Sequence, residues 1–235
     1  MGYFRLETYG ATHDRIGINA RALGSGLMLD PSEFEARFQS VGHLDDNLKV
    51  SLMQAPEIDP VKYGYDFKLE KKRTNPIKIP DIITFRTHQN IVSEKVREVI
   101  EAFDDFPHQF QKCRMFNHED VELTERQFYL INIRRYVQFE AGKPPEIKPP
   151  YQMTYTEKQV LGTIETNPEL KEKLSKLPIW HIRGDRNTLY LSEGLVSELR
   201  AKNVIGMDEF SVPLGRDEEC LVQVWEADKH RTIYE

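Results

Sequence analysis

Two stretches far apart in the chain, "NIVSEKVREVI" (Asn90 to Ile100) and "TLYLSEGLVSEL" (Thr188 to Leu199), follow one plan. Each runs a short apolar segment into Ser-Glu and then into a helical pattern. In the first, Val96, Val99, Ile100 and Phe103 fall at i, i+3, i+4 and i+7, the apolar stripe of an amphipathic helix. A strand that feeds a helix has one apolar face to hide, and a second such unit can cover it. Registered on Ser93 and Ser192, the copies place Pro80 near Pro178 and Asn90 near Asn187. Phe85-Arg86 meets Ile182-Arg183 after a one-residue slip, and Val99-Ile100 meets Leu199. The expected fold is α+β: a mixed or mainly antiparallel sheet with peripheral helices and two related strand–helix–strand units packed as a pseudo-symmetric pair.

The dipeptide itself suits a helix start. A serine hydroxyl can accept a hydrogen bond from an amide of the first turn, and the glutamate sits beside the positive end of the helix dipole. Ser93 and Ser192 are therefore read as structural helix caps. Neither opens a full capping box, because the residue three beyond is apolar: Val96 in one copy, Leu195 in the other. Neither lies in a G-x-S-x-G elbow, so neither is read as a nucleophile.

Around these units the chain divides at about residue 75. Residues 1–75 are β-leaning and irregular and are expected to join the same globule as 76–235. "YFRLE" reads as an edge strand, "RIGINARALGSGLML" as loop, and "DPSEFEARF" as a helix with Asp30 as cap and Phe34 and Phe38 on one face. "QAPEIDPVKYGYDFKLEKKRTNP" reads as loop ending in a strand at "YDFKL". "HQFQKCRMF" and "RQFYLINIRRYVQF" read as strands, the second the strongest strand signal present. "AGKPPEIKPP" is a connecting loop, and "TEKQVLGTIETNPELKEKLSKLP" holds one or two short helices. "IWHIR" and "TLYL" form a hairpin turning at "GDRN". "VIGMDEFSV" is the strand after the second helix, and "CLVQVWEAD" is the closing strand.

Among 235 residues, 39% are apolar and 30% charged, the balance of a globular protein with a well-solvated surface. No apolar run reaches bilayer length, and "MGYFRLETYG" has neither a signal-peptide nor a myristoylation pattern, so the expected location is the cytoplasm with no membrane contact. Cys113 and Cys220 are expected to be thiols. The formal net charge of −6 disfavours direct nucleic-acid binding and suits a basic partner. The basic cluster "KLEKKRTNPIK" reads as a solvated linker. Of seven histidines, the nearest grouping is His108, Cys113 and His118, without metal-site spacing; His181 reads as a strand residue. "ALGSGL" lacks a phosphate-loop register. No metal, cofactor or catalytic set is expected.

The stretches "IPDIITFRTHQNIVSEKVREVIEAF" and "LPIWHIRGDRNTLYLSEGLVSELRAKNVIGMDEF" resemble an immunity-protein domain family first noted in myxobacteria and found beside polymorphic toxins. The closing unit is matched at Pro178, Ile182, Arg183, Tyr190, Ser192, Glu193, Leu195, Leu199, Gly206 and Phe210, within a resemblance spanning Pro76 to Val212. Ile205 departs from the threonine-like residue usual there. The resemblance implies a non-enzymatic inhibitor that binds and neutralises a cognate toxin or effector by occluding its active site or substrate groove. The expected cytoplasmic location and the net charge suggest a toxin that acts there, such as a nuclease. The acids then expected to meet a basic toxin are Asp45, Asp46, Asp104, Asp105, Glu119, Asp120, Asp217, Glu218 and Glu219. The alternatives are an adaptor for a secreted effector and a small-molecule-modifying enzyme.

Overall fold

Both Ser-Glu dipeptides lie where a strand passes directly into a helix, and each strand is the second arm of a hairpin. The computed structural model describes residues 3–6, 18–22, 31–70, 79–84, 90–139, 157–183, 185–205, 207 and 221–224. In chain order the strands are β1 (Tyr3–Leu6), β2 (Ile18–Ala22), β3 (Gln39–Asp45), β4 (Val50–Gln54), β5 (Tyr65–Leu69), β6 (Ile82–Thr84), β7 (Asn90–Ser93), β8 (Gln109–Cys113), β9 (Met115–Phe116), β10 (Phe128–Asn132), β11 (Arg135–Phe139), β12 (Ile179–Ile182), β13 (Asp185–Ser192) and β14 (Leu221–Val224). The helices are α1 (Pro31–Ala36), α2 (Pro60–Tyr63), α3 (Glu94–Phe103), α4 (Glu157–Thr166), α5 (Pro168–Leu174) and α6 (Glu193–Ala201).

The hairpins match in backbone detail. Ile82 faces Val92 across β6 and β7, and Ile179 faces Leu191 across β12 and β13. The Ser93 amide donates to the Asp81 carbonyl at 2.8 Å, and the Ser192 amide to the Pro178 carbonyl at 2.8 Å. Asp81, rather than Pro80, is thus the equivalent of Pro178. The second hairpin differs by an irregularity between Trp180 and Ile182.

The helices that follow run antiparallel. Phe103, ending α3, lies against Gly194 near the start of α6, and Lys95 near the start of α3 reaches the Asn203 carbonyl beyond α6. Between these contacts Val96, Val99 and Ile100 share one core with Leu195, Val196 and Leu199, together with Val92, Leu189 and Leu191 from the strands beneath. Each such side chain removed from water contributes roughly 1.5–3 kcal/mol. The two units bury their apolar stripes against each other.

The strands form α+β layers that are mainly antiparallel. A seven-stranded sheet has the order β14-β1-β13-β12-β11-β4-β3; a four-stranded sheet runs β6-β7-β10-β8, and a three-stranded one β2-β5-β9. The parallel neighbours are β11 with β12 and β5 with β9. The two repeated hairpins therefore sit in different sheets, bridged by their helices. The large sheet also joins both ends of the described chain, with Trp180 stacked on Tyr190 at 4.5 Å and edge-on to Tyr3 at 5.8 Å.

Several local expectations are corrected. "YFRLE" is no edge: β1 lies between β13 and β14, with Tyr3 and Leu6 buried. The glycine-rich stretch read as loop contains β2, stabilised by pairing with β5 rather than by local propensity. The long apolar run "RQFYLINIRRYVQF" breaks between β10 and β11, which enter different sheets. The hairpin of β3 and β4 and the short α2, capped by Asp59, carry no clear periodic signal. Of "VIGMDEFSV", Val204, Ile205 and Met207 are not in a strand, and the rest lies outside the described residues. Asp30, the proline-rich stretch from 140 to 150, and Cys220 lie outside the described residues. No helix among the described residues is long and apolar enough to cross a membrane.

Candidate functional site

Asp81 is the acid of "IPDI", set in an apolar stretch and 1% exposed. A carboxylate out of water must be matched by donors or it neutralises. Four meet it. Oδ1 accepts from Ser93 Oγ at 2.7 Å and from Arg126 Nη2 at 2.7 Å. Oδ2 accepts from Lys95 Nζ at 3.1 Å and from the Ile205 amide at 2.9 Å. The backbone repeats the tie, since the Asp81 and Ile82 amides both donate to the Ile205 carbonyl. Burial alone would raise the Asp81 pKa, but the Ile205 amide, Ser93, Lys95 and Arg126 hold it below the usual carboxylate value. One side chain therefore joins the start of α3, the approach to β10 and the turn after α6.

This explains why the repeated serines behave differently. Ser192 Oγ accepts from the Leu195 amide at 3.2 Å, the geometry of a helix cap. Ser93 occupies the same backbone position but makes no side-chain cap, which corrects the expectation from sequence. Its hydroxyl is drawn to Asp81. In the second unit Pro178 stands at that place and has no carboxylate to compete, so the hydroxyl of Ser192 turns to its own helix.

A second buried carboxylate fixes the other end of α3. Asp104 receives Arg135 through both guanidinium nitrogens, at 2.5 and 2.7 Å. Arg135 also donates to the Ile179 carbonyl at 3.1 Å and lies over the Phe106 ring, so it ties α3 to β12 of the other unit. His108 Nδ1 accepts from the Arg134 amide at 3.2 Å, which leaves Nε2 to donate to Asp104. Burial opposes the charged form, yet His108 and Arg135 bring the Asp104 pKa down to about 2. Burial lowers the His108 pKa and keeps the ring neutral.

The nine expected partner-facing acids divide by environment. Asp104 is corrected: its side chain is 1% exposed and occupied by Arg135. Asp45 is likewise buried, accepting from the Asn47 and Leu48 amides and from Asn167 on the approach to α5. Asp46 is exposed in the same turn, and Asp105 is exposed just past α3. Glu119 and Asp120 lie in an exposed turn after β9, where Asn117 Oδ1 accepts from the amides of Glu119 and Val121, and Asp120 pairs with Lys68. Asp217, Glu218 and Glu219 are outside the described residues. The three described pairs sit on different elements: the turn at the end of β3, the end of α3 and the turn after β9. Sequence reasoning missed Asp81, Arg126 and Arg135; for Asp81 and Arg135 the signal was a charge embedded in an apolar run, as in "IPDI", which implies a buried, paired group.

A depression of about 270 Å³ lies between α1 and α2 over Phe34, Ile58 and Tyr63. Its two cations, Arg37 and Lys62, both turn to Glu33. Among the described residues no group of three His, Cys, Asp or Glu is gathered as a metal site requires. His181 stacks on Tyr136 within the large sheet. Cys113 is a buried free thiol, its pKa raised to about 12 by burial and by Asp66, which leaves it unreactive.

Residues 16–142 match the Immunity protein family (Imm11), which is just over half of the chain. The protein belongs to this family, an assignment that gives it an immunity role and implies a cognate toxin as partner. The match takes in β2 through β11, including Asp81, Ser93, Asp104 and Arg135, and ends before the second Ser-Glu unit. No curated protein and no solved structure matches the chain.

Two outcomes follow from these networks. Ser192→Ala should cost about 1 kcal/mol in urea unfolding and Ser192→Gly only a few tenths, as for a cap. Ser93→Gly should instead cost at least as much as Ser93→Ala, because either change strips a donor from a buried carboxylate. Stability should also fall on acidification. Asp81 and Asp104 titrate lower in the folded chain than unfolded, so their contribution is complete above the ordinary value of 3.8 and, for Asp104, is lost as pH falls through about 2. Neutral His108 adds a loss that begins below 6.5. Urea midpoints between pH 3 and 8 should rise with pH, and Asp104→Asn should flatten the acid limb.

Proposed function

We propose that this protein binds a cognate toxin tightly and neutralises it by covering the toxin's active site or substrate groove. Membership of the immunity family carries this reading. The surface supports it: the chain has a net charge of −6, and Asp46, Asp105 and Glu119 stand in solvent. A nuclease must hold a phosphate backbone in a basic groove, so an acidic cover would complement it in field and speed its capture. We infer a toxin of that kind, acting in the cytoplasm. Inhibition by binding needs no catalysis from the inhibitor.

The test is titration of the purified toxin encoded beside this protein. Toxin activity should fall linearly to zero at one equivalent, with a stable complex on gel filtration and an association rate that drops as salt rises. Full activity with no complex sinks the proposal. A stable complex with full activity would instead favour an adaptor that loads the toxin for export.

A further inference from the structure

The antiparallel pair of α3 and α6 turns one side to the core and leaves the other to solvent. Phe103 remains 39% exposed there. Its ring occupies the space that a side chain at Gly194 would need, since a Cβ would sit 2.8 Å from the ring carbon Cζ. The glycine thus seats an aromatic ring at the mouth of the helix seam. Glu98 on α3 and Glu198 on α6 are exposed, and among the described residues neither is paired with a cation. The basic side chains within α3 are already engaged: Lys95 with Asp81, Arg97 with Glu94 and Glu101. Lys202, just past α6, is exposed at the opposite end of the seam from Phe103.

An exposed aromatic ring at the mouth of a seam whose two helices each carry an exposed, unpaired carboxylate is the complement of a basic segment. One arginine or lysine of such a segment can lie across the ring, by cation–π attraction and stem burial, while its other basic residues meet the carboxylates. The seam is also rigid, held at one end by the Asp81 junction and at the other by Asp104 with Arg135, so little ordering is lost on binding. We propose that the α3–α6 seam is the surface that receives the toxin, and that its occupant is a basic segment anchored by an arginine or lysine over Phe103. The inference rests on the neutralising role above and adds the place and the chemistry of contact.

The probe is the toxin domain encoded beside this protein, inactivated by substitution and titrated against four full-length forms. These are the wild type, Phe103→Ala, the pair Glu98→Lys with Glu198→Lys, and the pair Glu119→Lys with Asp120→Lys on the turn after β9. Phe103→Ala should weaken binding roughly thirty-fold, as loss of a central anchor does. The Glu98/Glu198 pair should weaken it at least ten-fold and slow association. These two glutamates are exposed and unpaired, so their reversal leaves the core intact even if Phe103→Ala loosens the helix pair. Weakening by the seam charges supports the proposal, whatever the turn variant does. Wild-type affinity in the Glu98/Glu198 pair overturns it while the neutralising role stands. Absence of binding by the wild type overturns both.

Discussion

A carboxylate sealed from water at the meeting point of two repeats sets the rest of this structure. Removing a carboxylate from water costs several kcal/mol, and only a full set of donors in good geometry offsets it. Asp81 has that set, and its donors come from three separate parts of the chain: a helix start, the approach to a strand, and a segment 124 residues away. A group that tolerates no missing donor makes its neighbours' positions interdependent. The hydrophobic faces of α3 and α6 would attract each other in several registers; the polar junction selects one.

The duplication shows how one substitution reassigns a residue. Both units keep the backbone bond from serine to the residue opposite, so the hairpin-to-helix geometry is common property. Where that opposite residue is Asp81, the serine hydroxyl serves a tertiary junction. Where it is Pro178, the hydroxyl serves its own helix. Gly194 is a second divergence, placed where Lys95 stands in the first unit, and it makes room for Phe103 of the other copy. Two copies of one plan have become complementary halves.

The fold was legible where periodicity was strong. The α3 stripe, the paired Ser-Glu units, the strands of "YDFKL" and "CLVQVWEAD", and the α+β class all follow from local pattern. What local pattern could not show was pairing between distant segments. β1 looks like an edge because its neighbours, β13 and β14, lie at the other end of the chain. β2 lies in a glycine-rich stretch and is a strand because β5 is beside it. For the site, sequence counted acids without knowing which were buried. Asp104 and Asp45 look as available as Asp46, and only the positions of Arg135 and Asn167 distinguish them. The immunity role was legible by resemblance, although the family match falls on the first unit and the N-terminal third rather than on the closing motif.

The most direct measurement is native-state amide hydrogen exchange in Asp81→Asn against the wild type. If Asp81 couples the units, protection should fall together at the Ile205 amide, through α6 and through α3. A loss confined to residues 79–104, with Ile205 and α6 as slow as before, would mean that the two units hold together without it.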